Sequence, residues 1–331
     1  MRARHRVAVV TDSTAALPPG VAARWGIDVV PLDVVVDGCR HTEGVDFAPA
    51  DLVAALRAGV KVSTSQPAPE AFSRAYARAG TAGASAVVSV HLSGELSGTV
   101  GSARSAAERA PLPVHVVDTR SAAMGIGFAA LAAAWEAAGV PDEARSVAGP
   151  AGPATARHLP GLAADLRHLP ERAAELIPGL LRRAEPASAD QVADAARAAA
   201  SASTLWFLVD SLEHLRRGGR LSAAAAALGT VLGLRPLLTV VDGRVVVGEK
   251  VRTRRAARER LEAVAVAAAG PHERVRLAVH HTGDAEAAAD LAARLAGSLD
   301  ARCREVVVCD AGAVLGAHAG PGLLAVVVSP A

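Results

Sequence analysis

The chain has 331 residues, of which 51% are hydrophobic and 21% charged, and its formal net charge is +2 at pH 7. This length favours two domains, and the nearly balanced charge lacks the basic excess of a nucleic-acid-binding protein. Aromatic residues make up only 2% of the chain, which also argues against a stacking platform for single-stranded nucleic acid.

Cysteine usage and the N-terminus predict a soluble, cytoplasmic protein. The three cysteines, Cys39, Cys303 and Cys309, form no C-x-x-C pair, so we expect neither a disulfide framework nor a zinc site. The apolar run near the N-terminus stops after four residues, too soon for the core of a signal peptide. No apolar run approaches the length of a membrane span.

Apolar runs along the chain predict strands that alternate with Ala-rich helices. The predicted strands are residues 6–10, 29–36, 86–91, 114–118, 204–209, 236–241, 244–248, 275–281, 305–309 and 323–328. Most are continuous Val, Leu and Ile runs, typical of strands covered on both faces. The alternation predicts an α/β fold with a mainly parallel N-terminal sheet. Asp242-Gly243 between two β-branched runs predicts a hairpin, so the C-terminal sheet is expected to be mixed.

A change of composition separates the two halves of the chain. Residues 141–200 begin with a stretch rich in Pro, Gly and Ala and continue with helical patterns that do not extend the strand series. We therefore predict an N-terminal α/β domain at 1–140, an inserted helical segment at 141–200 that lies on the surface, and a C-terminal α/β domain at 201–331.

Hydroxyl-rich loops follow several of the predicted strands. "TDSTAALP" follows the first strand, "HLSGELSGT" (91–99) the third and "DTRSAAMGIG" the fourth. Ligands of an open parallel sheet bind outside the carboxyl ends of the strands, so these loops and "KVSTSQPAP" (61–69) should converge on one crevice. Hydroxyls and N–H groups at a helix N-terminus suit a carboxylate or phosphate. Ser93 or Ser97 could equally well only cap the next helix.

Hydrolase and nucleotide-binding motifs match poorly. "GELSG" places Ser97 one residue late for the G-x-S-x-G elbow of a serine hydrolase. "GIGFAA" (125–130) begins well after Asp118, whereas a dinucleotide fingerprint needs its first Gly at the strand end. The chain contains no G-x-x-x-x-G-K-[ST] motif, and we therefore predict no P-loop.

Three charged residues near these loops have both a structural and a functional interpretation. Asp12 and Asp118 could form a metal or acid–base pair, but no His or Cys cluster stands near them in the sequence. We expect them to cap helices or hold loops. In "LRRGGRLS" (215–222), Arg220 could bind an anion, and the Gly-Gly pair could equally well end a helix.

Eight short segments, in their order along the chain, resemble the motifs of a known protein family. They are "VTDSTAALP" (10–18), "VPLDVVVDG" with "EGVDF" (30–47), "TSQPAP" (64–69), "LSGT" (96–99), "VVDT" with "GIG" (116–127), "LEHLRRGGRLS" (212–222), "KVRTRRAA" (250–257) and "GAHAGPG" (316–322). Together they resemble the DegV family of bacterial fatty-acid-binding proteins, over nearly the whole chain except about 141–200. The resemblance implies a two-domain α/β protein that holds one long-chain fatty acid between its domains and uses no cofactor.

The resemblance also assigns site residues and partners. It implies that Thr64 and Ser97 bind the carboxylate, with supporting head-group or phosphotransfer roles for Ser93, Gly98, Arg252 and His318. It implies a non-catalytic carrier that presents the acid to a separate fatty acid kinase, in phospholipid metabolism, with transient contact to a membrane surface. The alternative is a serine-dependent hydrolase or acyl-modifying enzyme that uses Ser97.

Overall fold

Three β-sheets and the helices between them form the part of the chain that the structure describes. The structure, a computed structural model, describes residues 6–65, 67–147, 186–221 and 235–331. In these residues a four-stranded parallel sheet, a three-stranded antiparallel sheet and a six-stranded mixed sheet are present. The predicted α/β fold, with a parallel N-terminal and a mixed C-terminal sheet, is confirmed.

The elements follow one another in strand–helix alternation. The strands are β1 (Val7–Asp12), β2 (Ile27–Val30), β3 (Asp33–Val36), β4 (Cys39–Thr42), β5 (Val62–Ser65), β6 (Ala86–His91), β7 (Val114–Asp118), β8 (Thr204–Leu208), β9 (Arg235–Val241), β10 (Arg244–Val251), β11 (Val275–His281), β12 (Cys303–Asp310) and β13 (Leu324–Pro330). The α-helices are α1 (Val21–Trp25), α2 (Pro49–Arg57), α3 (Pro69–Thr81), α4 (Thr99–Ala107), α5 (Met124–Ala138), α6 (Ala189–Ala202), α7 (Glu213–Arg217), α8 (Arg254–Ala269), α9 (Ala285–Leu299) and α10 (Ala313–Ala319).

The parallel sheet has the order β2-β1-β6-β7 and is covered on both faces. Every residue of the inner strand β6 is buried, as its continuous apolar sequence predicts. Successive side chains of this strand serve different cores, because they point to opposite faces. Val87 packs with Phe72 and Tyr76 of α3, whereas Val88 belongs to the large core that contains α5 and α6.

Helices α5 and α6 pack against each other and contact both large sheets. Helix α5 is apolar around its circumference and is buried from Met124 to Trp135 with few exceptions, which is the burial expected of a central helix. Helix α6 contributes Val192, Ala193 and Ala196, all fully buried, to the same core. Residues 189–200, part of the segment 141–200 that was predicted to lie on the surface, therefore form a core helix. Their small side chains allow close packing on α5. Residues 148–185 of that segment lie outside the described residues.

The apolar run at 29–36 was predicted as one strand, and this is wrong. It forms β2 of the parallel sheet and β3 of the three-stranded sheet, whose order is β4-β3-β5. Pro31 has no N–H for a sheet ladder, and the next N–H, that of Leu32, donates to the Ser13 hydroxyl at 3.1 Å. Strands β4 and β5 were not predicted, because "CRHT" and "VSTS" contain no apolar run.

The mixed sheet has the order β10-β9-β8-β13-β11-β12, and β11 and β12 are its parallel pair. The predicted hairpin is confirmed, since β9 and β10 pair antiparallel around Asp242 (φ 51°) and Gly243 (φ 80°). Two positive φ angles at these positions are those of a type I′ turn. The hairpin tip reaches the N-terminal half, where the Ser93 hydroxyl donates to the Gly243 carbonyl at 2.8 Å.

Among the described residues, no helix combines the length and apolar character needed to cross a lipid bilayer.

Candidate ligand-binding site

A mainly apolar cavity of about 270 Å³ lies where the three sheets meet. Both halves of the chain line it, with apolar walls formed by Leu32, Leu92, Leu96, Leu205, Phe207, Leu215, Val240, Val245, Val314, Leu315 and Leu323. The polar side chains in the lining are Thr64, Ser65, Ser97, Arg220, His280 and His318. A concave apolar site with few polar groups is the usual architecture for binding a small molecule.

Thr64 and His318 form the polar centre of one wall. Thr64 lies on β5, opposite Val34 of β3, and His318 is near the end of α10. The Thr64 Oγ1 and His318 Nε2 atoms are 2.7 Å apart and share a hydrogen bond. Burial, and then the charge of Arg220, lower the pKa of His318 to about 4. The imidazole is therefore neutral at pH 7, and the pair can offer hydrogen bonds to a ligand without carrying a charge itself.

Two glycines make room for the histidines that join α7 to α10. A Cβ at Gly218 would overlap the Nδ1 atom of His318, and a Cβ at Gly320 would overlap the ring of His214. Each histidine thus packs on a glycine beside the other helix. This close approach explains why both "RRGG" and "HAGPG" carry glycine at these positions.

Arg220 supplies the cation of this wall. Its Nε atom donates to the Leu96 carbonyl at 3.0 Å, and its guanidinium also donates to the Gly218 carbonyl. Burial lowers the pKa of Arg220. A guanidinium nevertheless stays protonated in proteins at neutral pH. Helix α7 ends at Arg217, Gly218 is its C-cap, and Gly219 has φ 70°. The Gly-Gly pair of "LRRGGRLS" therefore ends the helix, and Arg220 lies in the cavity lining, where its binding of an anion stays a prediction.

Ser97 combines a capping contact with a place in the cavity wall. Its Oγ atom accepts from the Thr99 N–H at 3.3 Å and lies 2.9 Å from the Thr99 hydroxyl, at the start of α4. Gly98 is the residue before the helix and also lines the cavity. Ser97 thus caps α4 and also lines the cavity, so the capping and the ligand-binding interpretations of this serine are compatible.

Ser93 and Arg252 lie outside the cavity lining. Ser93 is fully buried, donates to Gly243 and accepts from the Glu95 N–H at 3.2 Å. Its hydroxyl joins the N-terminal half to the hairpin of the mixed sheet. Arg252 follows β10 and is exposed. The structure thus brings Thr64, Ser97 and His318 together, but not these two residues.

Two polar residues of the lining were not predicted as site residues. The Ser65 Oγ atom is buried and has no hydrogen-bond partner among the described residues. It follows Thr64 directly, so the polar pair at the end of β5 was an available signal. His280 accepts from the Met124 N–H at 3.2 Å through Nε2, and its Nδ1 is 3.4 Å from the Cys309 sulfur. Burial lowers its pKa to about 4, so it is neutral.

Asp12 and Asp118 hold loops, as predicted. Asp12 accepts from the N–H groups of Thr14 and Leu92 at 3.1 and 3.2 Å, which joins the ends of β1 and β6. Asp118 accepts from the N–H groups of Gly94 and Arg120.

A second group of buried side chains has the residue types of a catalytic triad. Asp12 lies 2.8 Å from the Nδ1 atom of His91, whose Nε2 atom lies 2.6 Å from the Ser89 hydroxyl. All three side chains are fully buried, and Ser89 also bonds to the Tyr76 hydroxyl at 3.0 Å. The group is therefore closed to substrate. The nitrogens of His91 are used within it, so His91 cannot serve as a base for Ser97.

The described ranges contain no group of three or more His, Cys, Asp or Glu side chains placed to hold a metal ion.

Comparison with known proteins gives the same family from sequence and from structure. The model of the DegV family, described as uncharacterised proteins, matches residues 6–139 and 181–331. A DegV domain-containing protein of Streptomyces coelicolor is 40% identical over 328 residues, covering 98% of this chain and 99% of the relative. One from Mycobacterium tuberculosis is 37% identical over 331 residues, covering 97% and 96%.

Solved structures of similar proteins share the fold. A DegV family protein from Thermus thermophilus, described in terms of fatty acid binding, has a TM-score of 0.74 and 32% identity, covering 98% of this chain and 100% of that one. DegV from Bacillus subtilis, described as a fatty acid binding protein, has a TM-score of 0.76 and 26% identity, covering 99% and 100%.

Fold and site together define an α/β protein with a mainly apolar cavity between its sheets. The matches over nearly the full length make the assignment more specific: the chain belongs to the DegV family. The family match omits residues 140–180, so the unmatched part is shorter than the predicted segment 141–200 and excludes α6.

Proposed function

We propose that this protein binds one long-chain fatty acid between an N-terminal domain at 1–140 and a C-terminal domain at 201–331. The observation that carries the proposal is an apolar cavity whose wall holds Thr64, Ser97, Arg220 and His318. The proteins from Thermus thermophilus and Bacillus subtilis, described as binding fatty acid, support it. In this proposal the hydroxyls of Thr64 and Ser97 bind the carboxylate, and the apolar side chains cover the tail.

The tail and the head group of the acid contribute differently to the free energy of binding. Each buried methylene contributes about 0.8 kcal/mol, so roughly fourteen of them contribute on the order of 10 kcal/mol before ordering costs. A hydrogen bond to the charged carboxylate contributes about 1.5–3 kcal/mol. The tail therefore dominates affinity, while the polar wall determines which end of the acid lies beside His318.

The acid-binding proposal is tested by comparing palmitate with hexadecanol of equal chain length in a binding titration. We expect palmitate to bind at one per chain and more tightly than hexadecanol, because the polar wall recognises a carboxylate. Equal affinities would show that these residues do not recognise the head group, and no binding of either would refute the proposal.

The presentation of the acid to a separate fatty acid kinase is the second part of the proposal. In this role the protein is a non-catalytic carrier in the cytoplasm, with transient contact to a membrane surface, and the kinase supplies the nucleotide chemistry. Arg252 is exposed and lies outside the cavity lining, so it is accessible to a partner without touching the tail. His318 lies at the head-group wall, where it can position the carboxylate.

The kinase role is tested with Arg252→Ala and His318→Ala in two assays on one preparation. Bound acid is measured by mass spectrometry, and acyl-phosphate formation with a cognate kinase by radiolabel. We expect both variants to be purified with acid bound, because the tail dominates affinity and an affinity about tenfold lower in His318→Ala does not empty the cavity, and we expect both to lose transfer. Normal transfer by both would refute these roles, and loss of acid would make them binding or folding residues.

A further inference from the structure

A second cavity of about 350 Å³ adjoins the apolar cavity of about 270 Å³, which we call the acid-binding cavity after its proposed ligand. Its lining comes from the end of α2, from β5, and from helices α7 and α10. It shares Thr64, Arg220 and His318 with the first cavity, so these three residues form a wall between the two spaces. We call this second space the basic cavity.

The side chains that carry charge in the lining of the basic cavity are cationic. Lys61, Arg217 and Arg220 line it, and no carboxylate is among its lining residues in the described ranges. Lys61 is exposed and forms no ion pair within the part of the chain that the structure describes. Arg217 is partly neutralised by Glu213 at 2.7 Å, but that glutamate also pairs with Arg216 and lies outside the lining.

The remaining polar groups of the basic cavity are neutral hydrogen-bonding groups. Ser63 and Thr64 contribute hydroxyls from β5, and His214 and His318 contribute imidazoles. Burial, and then the charge of Arg217, lower the pKa of His214, which favours the neutral form of this ring. Guanidinium and ammonium groups beside hydroxyls form charge-assisted hydrogen bonds with an oxyanion.

We propose that the basic cavity binds a phosphate group beside the carboxylate of the bound acid. The choice of phosphate rests on Lys61 and Arg220, which form no ion pair among the described residues, and on the partly neutralised Arg217, because a singly charged ligand would leave part of this charge without a counterion. The position beside the acid rests on the proposed function, since the two cavities share Thr64, Arg220 and His318. The phosphate is either free or carried by the lipid head group, and both sources have the same chemistry.

The test uses hexadecylphosphonate, palmitate and inorganic phosphate as separate probes. The chain has only two lysines, Lys61 in the basic cavity and Lys250, which is exposed on β10. Lys61→Gln therefore has a matched control in Lys250→Gln. Affinities for the two lipids are measured by competition titration, and binding of inorganic phosphate by ³¹P line broadening.

We expect Lys61→Gln to lower phosphonate affinity about tenfold and palmitate affinity less than about twofold. Lys250→Gln should change neither. Lys61-dependent broadening of inorganic phosphate would identify a free anion as a ligand, whereas an effect on the phosphonate alone would identify the lipid head group. Both outcomes support the basic cavity as a phosphate site.

Two results would overturn the inference. One is an equal loss of phosphonate and palmitate affinity in Lys61→Gln, and the other is no Lys61 dependence with any probe. Failure of the wild type to bind palmitate refutes fatty-acid binding instead, and the inorganic phosphate measurement still decides the basic cavity on its own.

Discussion

The imidazole of His318 lies directly against Gly218, and a methyl group on that glycine would overlap the Nδ1 atom. The same imidazole is held on its other side by the Thr64 hydroxyl at 2.7 Å. His318 is thus fixed between the turn that ends α7 and the strand β5. The position of the head-group wall therefore depends on a glycine that does not itself line the acid-binding cavity.

Gly218→Ala should displace His318 and weaken acid binding. The added methyl group cannot be accommodated without moving the ring, which breaks the bond to Thr64. The displaced ring then no longer holds the Thr64 hydroxyl towards the carboxylate, and we expect about a tenfold loss of palmitate affinity, the size of one lost hydrogen bond to that charged group. The control is Gly101→Ala in α4, where a Cβ would meet no atom within 4 Å. That control should stabilise the helix and leave affinity unchanged; equal affinity in the two variants would contradict the proposed contact.

Thr64→Val and Ser97→Ala should each lower palmitate affinity about tenfold or more, because each removes a hydroxyl from the proposed carboxylate site. Ser63→Ala is the matched control, since Ser63 precedes Thr64 on β5 but lies outside the acid-binding cavity. The affinities are measured by titration with palmitate. Unchanged affinity in both variants would exclude these hydroxyls, and an ester hydrolysis rate that depends on Ser97 would support the hydrolase alternative.

Stability should fall as the pH is lowered from about 6.5 to about 4, in part through His318. Its pKa falls from the ordinary histidine value of 6.5 to about 4 in the fold, so the unfolded chain binds the proton first. The stability that the buried, neutral His318 contributes is fully present above about pH 6.5 and is lost as the pH falls towards 4. Urea midpoints at several pH values should show a shallower slope for His318→Gln. His280 is shifted in the same direction and should account for part of the remaining slope; identical slopes would contradict the burial of a neutral His318.

The Arg276–Glu305 pair should be essential for stability. Its atoms are 2.9 Å apart with side-chain exposures of 6% and 16%, and the guanidinium lies over the Trp135 ring at 4.8 Å. Removing one partner leaves a buried charge, so Arg276→Met should cost about 3–5 kcal/mol in urea unfolding.

The exposed Arg78–Asp28 pair provides the control for this prediction, because its side chains are 58% and 37% exposed. Arg78→Met should cost at most about 1 kcal/mol. Similar losses in the two variants would show that the buried pair has no special importance.

The sequence was most informative where one physical signal dominated. Continuous apolar runs located β6 and most other strands, and Asp242-Gly243 located the hairpin, because both signals are local. The strand break at Pro31 and the polar strand β5 were missed, since pairing with β3 decides their structure. The core position of α6 was missed as well, because an Ala-rich helix shows little contrast between a buried and an exposed face.

Some residues of the candidate site were assigned from the sequence, and others were found only in the structure. Thr64, Ser97 and His318 were assigned by resemblance, and they do line one cavity. The place of Arg220 depends on how α7 ends beside α10, and the place of His280 depends on the contact between β11 and the start of α5. Contacts between segments far apart in the chain have no local sequence signal, so reasoning from the residues alone could not establish them.

The central proposal, that the protein carries a fatty acid, is tested most directly by mass spectrometry of protein purified without added lipid. Native spectra give the mass of the complex, and denaturing extraction identifies the ligand. We expect close to one acyl chain per protein chain, because an empty apolar cavity would expose its walls to water. Protein that contains no acid and also fails to take up added palmitate or oleate would contradict the proposal.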